Sequence, residues 1–295
     1  MERAVTTGTA ALGNDQRAIA AFVARELGCE ATRVARVDAF ATNAVYEVDA
    51  GGLRLIVKAS AMQGAIRAEA WACARGADAG CAAPEILRVG RLGTGDSMSV
   101  LVMRRVAGRP IAAGHPGLRE VGIRLRRLHE TRLAGFGWLA EASWDERGGC
   151  SLPHRSWPAF LKGICRDAHD LADRRAVSVA EAASTEIDAH ADALAAVEGS
   201  LCHGDLKPSH IFVDSGRLSG VIDWGDAVSG DPLWDIARFA HRTDAESLSL
   251  LLEGYDPDRG LAGEIEWRLP LYEALWILFD AVVAHRLGLG AKEDA

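Results

Sequence analysis

Apolar and polar positions follow two different patterns along the chain, and the change falls near residue 107. Before it, the spacing predicts an amphipathic helix over residues 15–27 and an alanine-rich helix over 64–77. Between glycine turns, apolar and β-branched runs predict strands at 44–48, 53–58, 89–91 and 98–104. The first hundred residues therefore predict a small antiparallel sheet with one inserted helix.

Helical spacing dominates the rest of the chain. It predicts helices near 118–129, 157–172, 184–198 and 245–288. A loop rich in Gly, Trp and Pro is expected at 131–157, and short strands within 201–223. We therefore predict an α+β fold with two lobes and a cleft: residues 1–107 form a sheet lobe, and residues 108–295 form a larger, mainly helical lobe.

The charge distribution narrows the choice of partners. The first 107 residues carry 13 Lys and Arg against 11 Asp and Glu, whereas the remaining residues carry 20 against 30. This acidic balance argues against a nucleic-acid partner. It favours a cationic ligand, or it serves solubility alone.

Three further features bear on location. The N-terminal segment has an acid at Glu2 and no apolar core, so it does not resemble a signal peptide. The apolar stretch 271–284 is too short, and too interrupted by Glu273 and Asp280, to span a membrane. The six cysteines show no metal-ligand spacing and are expected to be reduced thiols. We expect a cytoplasmic monomer or homodimer without a membrane partner.

Candidate chemistry is concentrated between residues 201 and 223. The polar loop H-G-D-L-K-P-S-H leads into a short apolar strand at 211–213, and a turn and a second strand follow and end at Asp223. A tight hairpin of this kind brings Asp205 and His210 close to Asp223. Phosphoryl transfer requires such a cluster, because one acid orients the attacking hydroxyl and another holds Mg²⁺.

The triplet His203-Gly204-Asp205, with Asp223 downstream and the segment 222–235 after it, resembles the catalytic core of the aminoglycoside phosphotransferase family. The resemblance implies a protein-kinase-like fold. It assigns Asp205 as the catalytic aspartate, Asp223 as the Mg²⁺ ligand and His203 as a loop scaffold. Lys207 matches a protein-kinase lysine that touches the transferred phosphate, although a solvated loop lysine is the alternative.

One position departs from the family pattern. An asparagine that binds a second metal usually follows the catalytic aspartate by five residues, and here that position is His210. Imidazole suits Mg²⁺ less well than an amide oxygen. Some antibiotic kinases resembling macrolide phosphotransferases carry histidine there, so His210 is expected to contact metal or phosphate, with loop packing as the alternative.

The first lobe is expected to bind ATP or GTP. Lys58 ends an apolar strand and would hold the phosphates, with Glu69 on the next helix as its partner, since an unpaired buried lysine is costly. Other candidate nucleotide contacts are two residues of the phosphate-loop segment and two of the hinge expected at 102–106: Thr42, Asn43, Met103 and Arg105.

Together these features predict a phosphotransferase that uses ATP or GTP with Mg²⁺ and moves the γ-phosphoryl group to a hydroxyl of a small molecule. An aminoglycoside-type antibiotic is the first expectation. The alternatives are a macrolide or another antibiotic, a metabolite such as an amino alcohol or a sugar, and a protein that binds nucleotide without chemistry.

Overall fold

The computed structural model describes residues 14–37, 43–92, 98–145, 148–171 and 173–288. It divides into two compact units. The first is drawn from residues 1–66 and 86–105, and the second from residues 67–85 and from 106 onward. The α+β class predicted from the sequence is confirmed. Most of the second helix, which the sequence assigned to the first lobe, belongs to the second unit, and the predicted division at 107 stays a prediction.

The first unit is a helix on an antiparallel sheet. Its strands run in the order β1-β2-β3-β5-β4. The elements, including the helix α2 that begins in this unit, are α1 (Asn14–Leu27), β1 (Ala31–Val37), β2 (Ala44–Ala50), β3 (Leu53–Ser60), α2 (Gln63–Asp78), β4 (Ile86–Leu92) and β5 (Met98–Arg104).

Alternation on the strands explains the core of this unit. Val48 and Ala50 of β2 and Val57 of β3 are buried together with Phe22 of α1, which covers this face of the sheet. The sequence did not predict β1. Only Val34 of that strand is buried, so its polar residues concealed the two-residue period.

The second unit contains most of the helices. Its elements are β6 (Arg109–Pro110), α3 (Leu118–Leu128), β7 (Gly137–Trp138), β8 (Ser143–Trp144), β9 (Cys150–Ser151), α4 (Trp157–His169), α5 (Arg174–Ala189), α6 (Ala191–Ala195), β10 (Ser200–Cys202), β11 (Ile211–Asp214), β12 (Arg217–Val221), β13 (Val228–Gly230), α7 (Leu233–His241), α8 (Ala245–Tyr255) and α9 (Ala262–Arg286).

Two three-stranded sheets carry the segment in which chemistry is expected. One has the order β10-β13-β7 and the other β12-β11-β6. The predicted hairpin is confirmed, because β11 and β12 pair antiparallel with Ile211 opposite Val221 and Asp214 opposite Arg217. The loop between β10 and β11 is therefore held at both ends by strands.

Two helix predictions were wrong in their limits. The helix expected at 184–198 begins ten residues earlier, where the side chain of Asp173 accepts a hydrogen bond from the Arg175 backbone and starts α5. The helix expected at 245–288 is two helices. The side chain of Asp256 accepts hydrogen bonds from the backbone of Gly260 and Leu261, which closes the turn between α8 and α9.

An aromatic core fixes α7 and α9 within the second unit. Trp157, Trp234, Tyr272 and Trp276 are almost fully buried, and the Trp234 and Trp276 rings lie 4.4 Å apart. Among the helices of the described residues, none has the length and apolar character needed to cross a bilayer.

Candidate active site

The loop after β10 is built around a glycine that the backbone requires. Gly204 has a φ of +82°, and a Cβ placed on it would lie 1.6 Å from the carbonyl oxygen of Asp226. No side chain fits there, which explains the glycine of the H-G-D triplet. This close approach brings the loop against the segment that follows Asp223.

Asp235 of α7 holds the same loop through hydrogen bonds to its backbone. Its two carboxylate oxygens accept hydrogen bonds from the backbone N–H groups of His203 and Gly204, at 2.7 and 2.8 Å. Nε2 of His129 lies 3.1 Å from Oδ2 of Asp235, and Nδ1 of the same ring lies 2.8 Å from the Tyr255 hydroxyl oxygen. All of these side chains are buried, so Asp235 is an anchor of the loop.

His203 is a scaffold, as the resemblance implied. Its Nδ1 accepts from the Asp205 backbone N–H at 3.2 Å, and its Nε2 donates to the carbonyl of Ile222 at 3.0 Å. Both ring nitrogens are engaged by backbone groups, so the histidine links the loop to the end of β12.

Asp205 is buried and receives a cation on each oxygen. Lys207 donates from Nζ to Oδ2 at 2.6 Å, and Arg238 donates from Nε to Oδ1 at 2.8 Å. Burial raises the pKa of the Asp205 carboxyl, but the charges of Arg238 and Lys207 outweigh it and hold that pKa below its usual value. The group is an ionised hydrogen-bond acceptor suited to orienting a hydroxyl.

His210 brings the two acids together. Its Nδ1 donates to the Asp205 carbonyl at 3.0 Å, so Nε2 carries the lone pair of the neutral ring. That Nε2 lies 3.5 Å from Oδ2 of Asp223. Burial lowers the pKa of His210 to about 4, so the ring is neutral near pH 7 and two hydrogen-bond acceptors face each other.

Asp223 adopts an unusual backbone conformation. Its φ of 66° and ψ of 63° are left-handed, a region that aspartate tolerates better than most residues and that often marks functional positions. A Cβ built on Gly225 would lie 3.6 Å from Oε2 of Glu69 and 3.9 Å from Oδ1 of Asp223. The Glu69 and Asp223 carboxylates therefore both lie close to Gly225.

The residues predicted to bind nucleotide occupy several places. In the first unit, Lys58 of β3 and Met103 of β5 are buried. Arg105 donates from Nε to Oε1 of Glu47 at 3.0 Å. The side-chain oxygen of Asn43 is buried and has no hydrogen-bond partner among the described residues.

Thr42 lies outside the described residues. Glu69, on α2, is buried in the second unit. The pairing of Lys58 with Glu69, and the contacts of all these residues with nucleotide, stay predictions.

Sequence reasoning missed two residues near Asp205. Arg238 bonds Asp205 and also donates from Nη1 to Oδ2 of Asp280 at 2.8 Å. The sequence does contain a signal for both residues. Each is a charged residue among apolar neighbours, Arg238 in α7 and Asp280 in α9. A charge in such a place usually has a buried partner of opposite sign.

Known proteins with similar sequences identify the family of this chain. A sequence profile described as the phosphotransferase enzyme family (APH) matches residues 33–269, most of the chain. The chain belongs to this family. It is therefore a phosphotransferase, and the predicted family resemblance is confirmed. Viomycin phosphotransferase of Streptomyces vinaceus is 29% identical over 230 residues, which cover 75% of this chain and 76% of that enzyme.

Solved structures confirm the predicted protein-kinase-like fold of this family. Aminoglycoside phosphotransferase APH(4)-Ia superimposes with a TM-score of 0.71 at 19% identity, over 93% of this chain and 94% of that one. A mutant of that enzyme forms a ternary complex with AMP-PNP and hygromycin B. A protein provisionally named fructosamine-3-kinase, from Thermobifida fusca YX-ER1, gives a TM-score of 0.68 at 25% identity, over 92% and 95%.

Proposed function

We propose that this phosphotransferase moves the γ-phosphoryl group of ATP or GTP, with Mg²⁺, to a hydroxyl of a polycationic antibiotic of the aminoglycoside or viomycin type. The observation that carries the proposal is the cluster of Asp205, His210 and Asp223. One ligand atom from each of these side chains lies within 4.8 Å of the others. It supports the proposal because it combines a carboxylate suited to orienting a hydroxyl with two side chains that can bind a divalent cation.

The orienting role belongs to Asp205. Its Oδ2 is an ionised acceptor on the side of Lys207 and His210, where an acceptor hydroxyl would donate its proton. Lys207 adds a positive charge that is partly exposed and would interact with the transferring phosphoryl group. Transfer of this kind depends on positioning and on charge stabilisation more than on covalent chemistry.

A divalent cation fits the other half of the cluster. Oδ2 of Asp223 and Nε2 of His210 face each other at 3.5 Å as two acceptors, an arrangement that a cation between them relieves. Bound there, the cation would neutralise charge on the nucleotide phosphates. The nitrogen ligand also suits Mn²⁺, because imidazole is softer than the oxygen ligands that Mg²⁺ prefers.

Two observations favour a cationic antibiotic as the acceptor. The viomycin enzyme is similar over three quarters of the chain. The residues after 107 carry ten more acidic than basic side chains, which favours a cationic partner. His210 favours the macrolide-like alternative, and a macrolide therefore belongs in the same test.

A sugar-amine acceptor is the second candidate. It rests on the likeness to the protein named fructosamine-3-kinase, which is more similar in sequence than APH(4)-Ia. A sugar attached to an amine is also a hydroxylated acceptor, so the same Asp205 geometry would serve it.

The test is a screen of the purified enzyme with ATP or GTP and Mg²⁺ or Mn²⁺. The acceptors are viomycin, hygromycin B, kanamycin, a macrolide and a fructosyl amine, with Asp205→Asn as the matched control. Mass spectrometry detects the gain of one phosphoryl group. Phosphorylated viomycin or aminoglycoside, absent with the control, supports the proposal.

Other results of the screen would change the assignment. Phosphorylation of the fructosyl amine alone would replace the antibiotic with a metabolite. Product formation that persists in the Asp205→Asn variant would remove Asp205 from the reaction. Nucleotide binding without any product would contradict the proposed acceptor class.

A further inference from the structure

The carboxylate of Asp205 is held by an arginine from a different element. Arg238 of α7 is 5% exposed. It donates from Nε to Oδ1 of Asp205 at 2.8 Å and from Nη1 to Oδ2 of Asp280, on α9, also at 2.8 Å. One guanidinium therefore bridges two carboxylates that lie 75 positions apart in the sequence.

The guanidinium is itself fixed in place. Its central carbon lies 4.4 Å from the centroid of the Trp276 ring, in a cation–π contact. The planar fork of arginine has few ways to satisfy two carboxylates and an aromatic face at once. Arg238 can therefore hold Oδ1 of Asp205 in one direction, which the shorter-reaching ammonium of a lysine cannot do.

The two oxygens of Asp205 have different surroundings. Oδ1 faces Arg238, whose side chain is 6% exposed, whereas Oδ2 faces Lys207, whose side chain is 28% exposed. Oδ2 also lies 3.5 Å from Nδ1 of His210. The side of the carboxylate that meets solvent and the metal ligands is therefore the side of Oδ2.

We propose that Arg238, held by Asp280, is a positioning residue for phosphoryl transfer, which fixes the Asp205 carboxylate so that Oδ2 faces the attacking hydroxyl. The inference rests on the orienting role proposed above for Asp205. Arg238 touches neither substrate and acts only through Asp205. Loss of its bridge frees the carboxylate to rotate, and misplacement of a reacting group slows the chemical step.

The first experiment compares Arg238→Ala with Arg242→Ala. Arg242 is a matched control, because it also pairs with Oδ2 of Asp280 but, in the described part of the chain, forms no ion pair with Asp205. Arg238→Ala should lower kcat about 100-fold with the nucleotide KM within about threefold. Arg242→Ala should leave both constants within about threefold of wild type.

Chemical rescue separates positioning from a general loss of structure. Millimolar guanidinium should restore kcat of Arg238→Ala about tenfold by filling the site between the two carboxylates, whereas urea, which has a similar shape and no charge, should not. If Arg238→Ala does not fold, Arg238→Lys keeps the charge and the stem. It should fold and still lose about tenfold in kcat.

The double variant Asp205→Asn/Arg238→Ala gives the decisive comparison. A residue that acts only through Asp205 should add less than about threefold to the loss in Asp205→Asn, whereas an independent structural defect should multiply it. The proposal is overturned by multiplied losses, or by a folded Arg238 variant with wild-type kcat. An Asp205→Asn enzyme with wild-type kcat would instead show that the role assigned to Asp205 is wrong.

Discussion

Two clusters adjoin the same loop, and each contains a histidine and an aspartate. In the described residues, His129, Cys202 and Asp235 form one, and Asp205, His210 and Asp223 form the other. In both, the candidate ligand atoms lie within 4.8 Å of one another. Residue type and spacing alone would make both of them metal sites.

Burial and hydrogen bonding separate the two clusters. In the first, every side chain is buried, and Asp235 accepts two backbone N–H groups and faces the imidazole of His129. In the second, the Asp223 side chain is 45% exposed and faces a ring nitrogen that is also an acceptor. The hydrogen bonds of the first cluster are made within the loop that it supports, whereas the second has the exposed carboxylate and the facing acceptors that the proposed cation site requires.

The largest expected effect is on catalysis, from Asp205→Asn. The amide cannot take the place of the ionised acceptor, so kcat should fall about 10²–10⁴-fold while the nucleotide dissociation constant stays within about threefold. Steady-state kinetics and nucleotide titration measure the two quantities. A variant with nearly wild-type kcat would show that the cluster of Asp205, His210 and Asp223 does not perform the chemistry.

Substitution in the buried cluster of His129, Cys202 and Asp235 should lower the stability of the protein. Asp235→Ala removes the acceptor of two buried N–H groups and the partner of His129, so the free energy of unfolding should fall by about 3–5 kcal/mol. Urea denaturation measures it. Asp214→Ala, at an exposed position in the β11–β12 hairpin, is the control and should change stability by less than about 0.5 kcal/mol. Equal effects at the two positions would contradict the anchoring role.

The pH dependence of stability should report on His210. The unfolded chain takes up a proton at this histidine near pH 6.5, whereas burial lowers its folded pKa to about 4. Between these values the unfolded state binds more protons than the folded state. The contribution of the neutral His210 ring to the free energy of unfolding is therefore fully present above pH 6.5 and is lost as the pH falls towards 4.

His210→Asn should remove this dependence, which amounts to about 3 kcal/mol at most. Urea denaturation of both proteins at several pH values, with a chelator present, isolates the difference. The carboxyl of Asp205, whose pKa is lowered, titrates below this window and does not obscure it. Parallel pH profiles for the two proteins would mean that the pKa of His210 is the same in the folded and unfolded states.

The open cluster was predicted from the sequence because its geometry is local. A hairpin of known strand period and turn length brings residues 205, 210 and 223 together, and only a backbone with positive φ at Gly204 fits the loop. The two strands of the hairpin, β11 and β12, were visible as short runs within 201–223, whereas β6, β7 and β13, which complete the two short sheets, were not predicted. Strand period and turn length therefore sufficed to predict that residues 205, 210 and 223 lie together.

The support around that centre could not be predicted in the same way. Arg238 meets Asp280 only because α7 and α9 pack through Trp234 and Trp276, and sequence spacing does not specify which faces of two distant helices meet. The start of α5 was missed for a related reason. Alanine-rich sequence carries a weak apolar stripe, so the cap at Asp173 is the better signal for the start of this helix.

The smallest expected effect concerns Cys202 of the buried cluster. Burial raises the pKa of its thiol well above the ordinary value, and the charges of Asp235 and Asp231 act in the same direction. The thiolate is the form that reacts, so brief treatment of the native protein with iodoacetamide at about pH 8 should leave Cys202 unmodified. Cys29, which is half-buried, is the internal comparison and should be labelled first.

Peptide mass mapping reads the labelling at both cysteines, and the same treatment in urea should label both. Cys202→Ser should keep kcat within about twofold, because the thiol touches neither substrate nor metal ligand in the proposed mechanism. Labelling of native Cys202 at the rate of Cys29 would mean that the cluster opens readily. The anchor at Asp235 would then be mobile, and the contrast between a closed supporting cluster and an open reactive one would no longer hold.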